Sequence, residues 1–151
     1  TKNVARIFLE SINGQEITPL QLGNLDAKRD WSDAEDFVDG VWKMLNQEQP
    51  KDYVLSSNET HTIREFVEEA FNFAGFHRSM CSWQGKGEDE KYFHGDQCLV
   101  EINSLFYRPA EVDILLGDSS KAREELGWQP KTNFLQLVKK MVDCDIPCSY
   151  M

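Results

Sequence analysis

No apolar run in the 151-residue sequence approaches the roughly 20 residues that a membrane-spanning helix needs, so no membrane partner is expected. No basic-then-apolar leader precedes the first helix pattern, so no signal peptide is expected either. The chain opens on Thr1 rather than Met, as a processed chain or a piece of a longer one would. Cations are scarce: 16 Lys and Arg stand against 26 Asp and Glu, a formal charge of −10. That balance excludes a general nucleic-acid binder, which needs a basic face to neutralise phosphates. It leaves room for one anionic ligand held by a few local cations. The four cysteines, Cys81, Cys98, Cys144 and Cys148, form no secreted-domain framework. Reduced thiols in a cytoplasmic protein are the expectation. Catalytic signatures are missing as well. No Gly-rich turn joins a strand pattern to a helix pattern, and Gly85 and Gly87 sit in a polar loop. No Tyr is followed four residues on by Lys, and neither Gly-x-Ser-x-Gly nor a phosphate-binding Gly-Lys-Ser/Thr loop occurs. The chain therefore offers binding residues and no catalytic set.

What is present is enough for one core. Aromatic residues reach 11% and apolar residues 40%, which a disordered chain would not hold. The helical period runs through Val4, Ile7, Phe8 and Ile12, ending at Gly14. It recurs in Ala34, Phe37, Val38, Val41, Trp42 and Leu45, with Ser32 and Glu35 as a capping box and Pro50 beyond. A third helix carries Ile63, Phe66, Val67, Ala70, Phe71 and Ala74, capped by Thr62 and Glu65 and stopped by Gly75. Asp118 caps a short helix to Leu126 with Gly127 past its end, and Phe134 to Val142 makes the last. Pro19 to Leu22, Tyr53 to Ser56 and Leu99 to Ile102 read as extended. Tyr53-Val54-Leu55 is apolar throughout, as a strand covered on both faces would be. The segment from Lys86 to Gln97 reads as a polar loop. Strand-then-helix order makes the fold class α/β: several helices with a few short strands.

Two segments could hold an anion. In Gly23-Asn-Leu-Asp-Ala-Lys-Arg-Asp-Trp31, two adjacent cations precede a helix start. A guanidinium fork suits phosphate, and a helix N-terminus favours an anion. The competing reading is a surface basic pair matched by Asp26 and Asp30. In Tyr107-Arg-Pro-Ala-Glu-Val-Asp113, Pro109 biases Arg108 to an extended backbone and aims its side chain; an ordinary turn with a surface Arg is the alternative. The run from Gly117 through Pro130 reads as structural. His77 with Cys81 and His94 with Cys98 could in principle share a zinc, although the spacing is not a usual zinc pattern, and no metal site is expected. His61 reads as structural, and Glu88-Asp-Glu90 as a solvated acidic loop.

These segments together resemble the GDP-mannose 4,6-dehydratases of the extended short-chain dehydrogenase/reductase group. The resemblance rests on Leu22-Gly-Asn-Leu-Asp-Ala-Lys-Arg-Asp-Trp31, on Tyr107-Arg-Pro-Ala-Glu-Val-Asp113 continuing to Asp118, and on Trp83-Gln-Gly-Lys-Gly87 with Glu90 three residues later. The ending Ser120-Lys-Ala-Arg-Glu-Glu-Leu-Gly-Trp-Gln-Pro130 is similar to the wider group. It covers about Gly14 to Asp145, in the family's order. It implies that residues 1–151 are the C-terminal, substrate-binding portion, and that the NADP-binding Rossmann domain, with the catalytic Tyr-x-x-x-Lys, lies outside this chain. The fragment alone would then be inactive. The implied reaction converts GDP-mannose to GDP-4-dehydro-6-deoxymannose on the route to GDP-fucose. By position, Arg29 and Arg108 match the family's diphosphate arginines and Glu111 its acid near the ribose; Asn24 and Lys28 share the first segment. A homo-oligomer, dimer or tetramer, is implied for the full-length protein. This chain reads Ser32-Asp33 where relatives usually read Gly-His, which strengthens the helix cap and adds an acid beside the expected diphosphate. A related nucleotide-sugar epimerase or reductase fragment, or a non-catalytic sugar-nucleotide-binding module, is the alternative.

Overall fold

The computed structural model describes residues 1–107 and 114–147. Among them are five helices: α1 (Lys2–Ile12), α2 (Ala34–Leu45), α3 (Ile63–Phe73), α4 (Ser120–Leu126) and α5 (Phe134–Asp145). Seven short strands accompany them: β1 (Leu20–Leu22), β2 (Lys28–Arg29), β3 (His61–Thr62), β4 (Cys81–Gln84), β5 (Lys91–His94), β6 (Gln97–Ile102) and β7 (Ile114–Leu115). They form two sheets, β1-β6-β5-β4 and β3-β2-β7. In the first, β1 runs parallel to β6 while β4, β5 and β6 alternate. In the second, β2 runs antiparallel to β3 and parallel to β7.

The main core lies where α1, α3 and α5 cover the larger sheet. Ile7, Phe71, Leu99, Val100 and Val138 are fully buried there, ringed by Val67, Ala70, Phe76, Tyr92 and Val142. The cap of α3 and the glycine stop of α4 match the sequence, and α5 adds a capping box of its own. Thr62 accepts the Glu65 amide while Glu65 accepts the Thr62 amide. Asn133 and Gln136 do the same at α5. Gly127 closes α4 in the left-handed region.

Four expectations need correction. Asp33, not Ser32, caps α2: its carboxylate accepts the Glu35 amide at 2.9 Å. Asp is as good a cap as Ser, and it also binds Lys140 at 2.9 Å. At α4 the N-cap position is Ser119, whose hydroxyl turns away to the Ser56 carbonyl; Asp118 instead accepts the Ser120 amide. The supposed loop from Lys86 to Gln97 contains β5, which pairs on both edges and buries Tyr92. Tyr53 to Ser56 pairs with no strand among the described residues.

The facing of α2 is a separate finding. Its apolar stripe faces outward, with Val38 69%, Trp42 67% and Leu45 76% exposed. The inward side is Asp36 and Gly40. Asp36 accepts the Lys131 and Thr132 amides at 3.0 Å, and its carbonyl accepts the Trp128 indole N–H at 2.8 Å. Trp128 is completely buried in this second, smaller cluster. The helix thus buries a satisfied acid and a glycine and leaves its apolar face uncovered by the described residues.

Candidate functional site

The Gly23–Asp30 segment is built from the backbone outward. Gly23 ends the run from β1, and a Cβ there would stand 2.5 Å from the Phe106 carbonyl oxygen, so the close approach requires glycine. Asn24 accepts the Asp26 amide at 2.9 Å and shapes an Asx turn. Leu25 and Ala27 are buried between the turn and β2. β2 is then held between β3 and β7, with Arg29 opposite His61 on one side and Leu115 on the other.

This placement divides the five candidate residues. Lys28 and Arg29 are neighbours in a strand, so their side chains leave opposite faces. Arg29 is half-buried and lines a groove of about 330 Å³ with Asp30, Phe37, Leu55, Leu115 and Leu116. Lys28 is exposed and lies outside that lining. Asn24 serves the turn. Arg108 and Glu111 lie outside the described residues. The chain on either side of them is described, and both flanks abut the first segment. Asn103 donates its amide to the Leu22 carbonyl at 2.8 Å just before them. Immediately after them, Leu115 accepts the Asp30 amide at 3.1 Å. Described residues on both sides of that span are thus hydrogen-bonded to the first segment or its approach.

The carboxylates of the first segment have other partners than the surface-pair reading supposed. Asp30 accepts the Ser57 amide at 3.0 Å, the Ser57 hydroxyl at 2.6 Å and the Asn58 amide at 3.2 Å. Asp26 accepts from Arg64 at 3.1 Å. The Arg29 guanidinium donates to the Lys28 carbonyl at 2.8 Å. Arg29 brings a guanidinium, a group suited to anions, to a largely apolar groove whose lining also includes the Asp30 carboxylate.

A second groove, about 470 Å³, opens between the starts of α3 and α5. His61 stacks on Phe134 there, 3.8 Å between centroids. Glu59, Glu65 and Glu69 with Arg78 line it, and that acidic balance disfavours an anion. Among the described residues no group of three or more His, Cys, Asp or Glu could hold a metal. Cys81 lies opposite His94 across β4 and β5, while Cys98 lies opposite Phe93. Among the described residues no Gly-rich turn joins a strand to a helix as a dinucleotide cradle would.

Sequence reasoning missed Arg64 and misread Glu90. The Arg64 guanidinium forks onto Glu90 at 2.7 and 3.0 Å and lies 4.6 Å from the Trp83 ring centroid. Glu90, supposed to be solvated, is only 16% exposed. Its carboxylate is the first cause holding the Arg64 pKa above its ordinary value, with Asp26 adding to it. The signal available was the family segment ending at Glu90, whose acid needed a partner.

A sequence profile of the family described as GDP-mannose 4,6 dehydratase matches residues 1–141. The chain belongs to the GDP-mannose 4,6-dehydratase family. The GDP-mannose 4,6 dehydratase of Drosophila melanogaster is 45% identical over 148 residues, 97% of this chain and 35% of that relative. The human one is 40% identical over 148 residues, 97% of this chain and 38% of that relative. The chain thus spans little more than a third of these GDP-mannose 4,6-dehydratases. Among solved structures, RMD from Pseudomonas aeruginosa complexed with NADPH aligns with 95% of the chain and 41% of its own, at TM-score 0.67 and 20% identity. A UDP-glucose 4-epimerase from Bifidobacterium longum in complex with NAD+ and UDP aligns with 95% and 38%, at TM-score 0.64 and 16% identity. At these identities the likeness speaks for a shared fold alone, a mixed α/β one. Among the described residues, no helix of this family member is long and apolar enough to cross a membrane.

Proposed function

We propose that this chain is the C-terminal, sugar-nucleotide-binding part of a GDP-mannose 4,6-dehydratase, and that Arg29, with Arg108 and Glu111, holds the GDP of GDP-mannose. The observation that carries the reading is the Gly23–Trp31 segment of a family member, folded so that Arg29 enters the apolar groove beside β7. Forked donors suit the diphosphate, and a carboxylate suits vicinal ribose hydroxyls. Lys28, on the opposite face of β2, contributes charge to the approach rather than a shared contact. Asn24 shapes the turn.

NADP, held by a further Rossmann domain, would take hydride from the sugar C4 and return it to C6 after water is lost across C5 and C6. Among the described residues no Gly-rich strand-to-helix turn fits that cofactor, and the role proposed for this chain is to bind and orient. The outward stripe of α2 and the unpaired Tyr53–Ser56 segment form the surface that would meet the cofactor-binding domain. The greater length of the relatives supplies an occupant of the right kind. Hydrogen exchange on the complete protein tests this: protected amides at 53–56 support the placement, unprotected ones refute it. A homo-oligomer in the cytoplasm completes the reading, and sedimentation of the complete protein tests the assembly.

The epimerase alternative is less favoured, because the dehydratases share 40–46% identity and the UDP-glucose 4-epimerase of Bifidobacterium longum only 16%. Incubating the complete protein with NADP and GDP-mannose decides between them. Loss of one water from the sugar nucleotide is expected; an isomer of unchanged mass would overturn the proposal.

A further inference from the structure

Three stretches distant in sequence meet at one guanidinium: the turn at Asp26, the first turn of α3, and the segment from Trp83 to Glu90. We propose that Arg64 is a positioning residue that clasps the Leu25–Arg29 segment in the conformation that presents Arg29 to the nucleotide sugar. The proposal rests on the function proposed above and adds a residue to it.

Residues 61–64 stitch the segment in order. Arg29 lies opposite His61 and Lys28 opposite Thr62. The Ile63 amide donates to the Ala27 carbonyl at 3.2 Å and the Arg64 amide to the Leu25 carbonyl at 2.9 Å. The Arg64 side chain closes this run. Its Nε and Nη2 donate to one Asp26 oxygen at 3.3 and 3.1 Å, while Nη1 and Nη2 fork onto Glu90. Trp83 is fixed from two sides by residues one helical turn apart on α3: Arg64 on its face, and Glu68, which accepts its indole N–H at 2.8 Å.

Such a cluster does little for net stability. Asp26 is 76% exposed, so its pairing is screened by solvent, and the desolvation of Arg64 and Glu90 offsets much of the attraction between them. What it supplies is arrangement: planar, forked and stacked contacts admit one relative placement of three segments, and Lys cannot reproduce them. Arg64 is 24% exposed at its side chain and already engaged by two acids, so it is poorly placed to bind a ligand anion itself.

The test uses the complete enzyme. Arg64→Lys keeps the charge and removes the fork; Glu90→Gln keeps the shape and weakens it. A positioning role predicts that Arg64→Lys raises KM for GDP-mannose about tenfold while kcat stays within about twofold, with Glu90→Gln shifted in the same direction. A merely structural role would lower the unfolding temperature and leave KM unchanged, and that result overturns the proposal. If Arg64→Lys does not fold, Glu90→Gln decides by the same readout. Wild-type enzyme inert toward GDP-mannose would refute the proposed function instead. The clasp is then read by amide exchange of residues 25–29: faster exchange in Glu90→Gln supports it, and unchanged exchange overturns it.

Discussion

Replacing Gly40 by Ala distinguishes the two ways α2 could face. On an exposed helix surface the change stabilises by about 1 kcal/mol, because glycine loses more backbone freedom on folding. Here the added methyl would stand 2.6 and 3.0 Å from the Leu55 methyl carbons and 2.9 Å from the Trp128 Nε1. Leu55 can turn its end aside. Trp128 is fully buried, and its N–H is bonded to the Asp36 carbonyl at 2.8 Å. It can retreat only by losing that bond, worth about 1 kcal/mol. Overpacking of this kind costs about 1–3 kcal/mol. Set against the helix gain, the net expectation is a loss of about 1–3 kcal/mol. Urea unfolding followed by tryptophan fluorescence reads it as a lower midpoint at unchanged slope. A raised midpoint would refute the inward placement of Gly40, and with it the outward placement of the Val38–Trp42–Leu45 stripe.

The stripe itself gives a paired expectation. Trp42→Ser with Leu45→Ser should change the stability of this chain by no more than about 0.5 kcal/mol per site. In the complete protein, where the face is covered, the same change should cost about 1.5–3 kcal/mol per side chain; equal effects in both would contradict the docking. Asp33 gives a pH signature. Lys140 first, then the Glu35 amide, hold its carboxyl below the ordinary 3.8. Its stabilising contribution is therefore present above that value and is lost as pH falls through the lowered one. Wild type should lose unfolding temperature on acidification more steeply than Asp33→Asn, and matching acid slopes would count against the pair. Gly127→Ala places a side chain at φ 58°, and thermal unfolding should show a loss of about 1 kcal/mol.

Local chemistry was well written in the sequence, and long-range pairing was not. The Thr62–Glu65 box and the Gly127 stop were legible because a cap depends on residues three or four apart. The stripe on α2 was legible as a stripe, but periodicity does not say what covers it. β5 was hidden because Lys91-Tyr-Phe-His is short, polar at both ends, preceded by three acids and followed by Gly95; its register with Cys81–Gln84 and Gln97–Glu101 is a non-local fact. At the site, the two segments were visible as motifs, but the contacts of the first with Asn103 and Leu115 came only from the Leu22–Asn103 and Asp30–Leu115 hydrogen bonds. The separation of Lys28 from Arg29 follows from β2 being a strand, which two residues cannot announce. Arg64 was invisible because its partners lie 38 and 26 positions away.

The central claim is the proposal that the Gly23–Arg29 segment, together with Arg108, holds the anion of a GDP-sugar. Calorimetric titration of GDP-mannose into the complete protein tests it most directly, with Arg29→Met and Arg108→Ala alongside. The account predicts saturable binding by the wild type. It also predicts a loss of about 1.5–3 kcal/mol in each variant, the worth of a charge-assisted contact, or roughly tenfold or more in Kd. Undiminished affinity in both variants would contradict it.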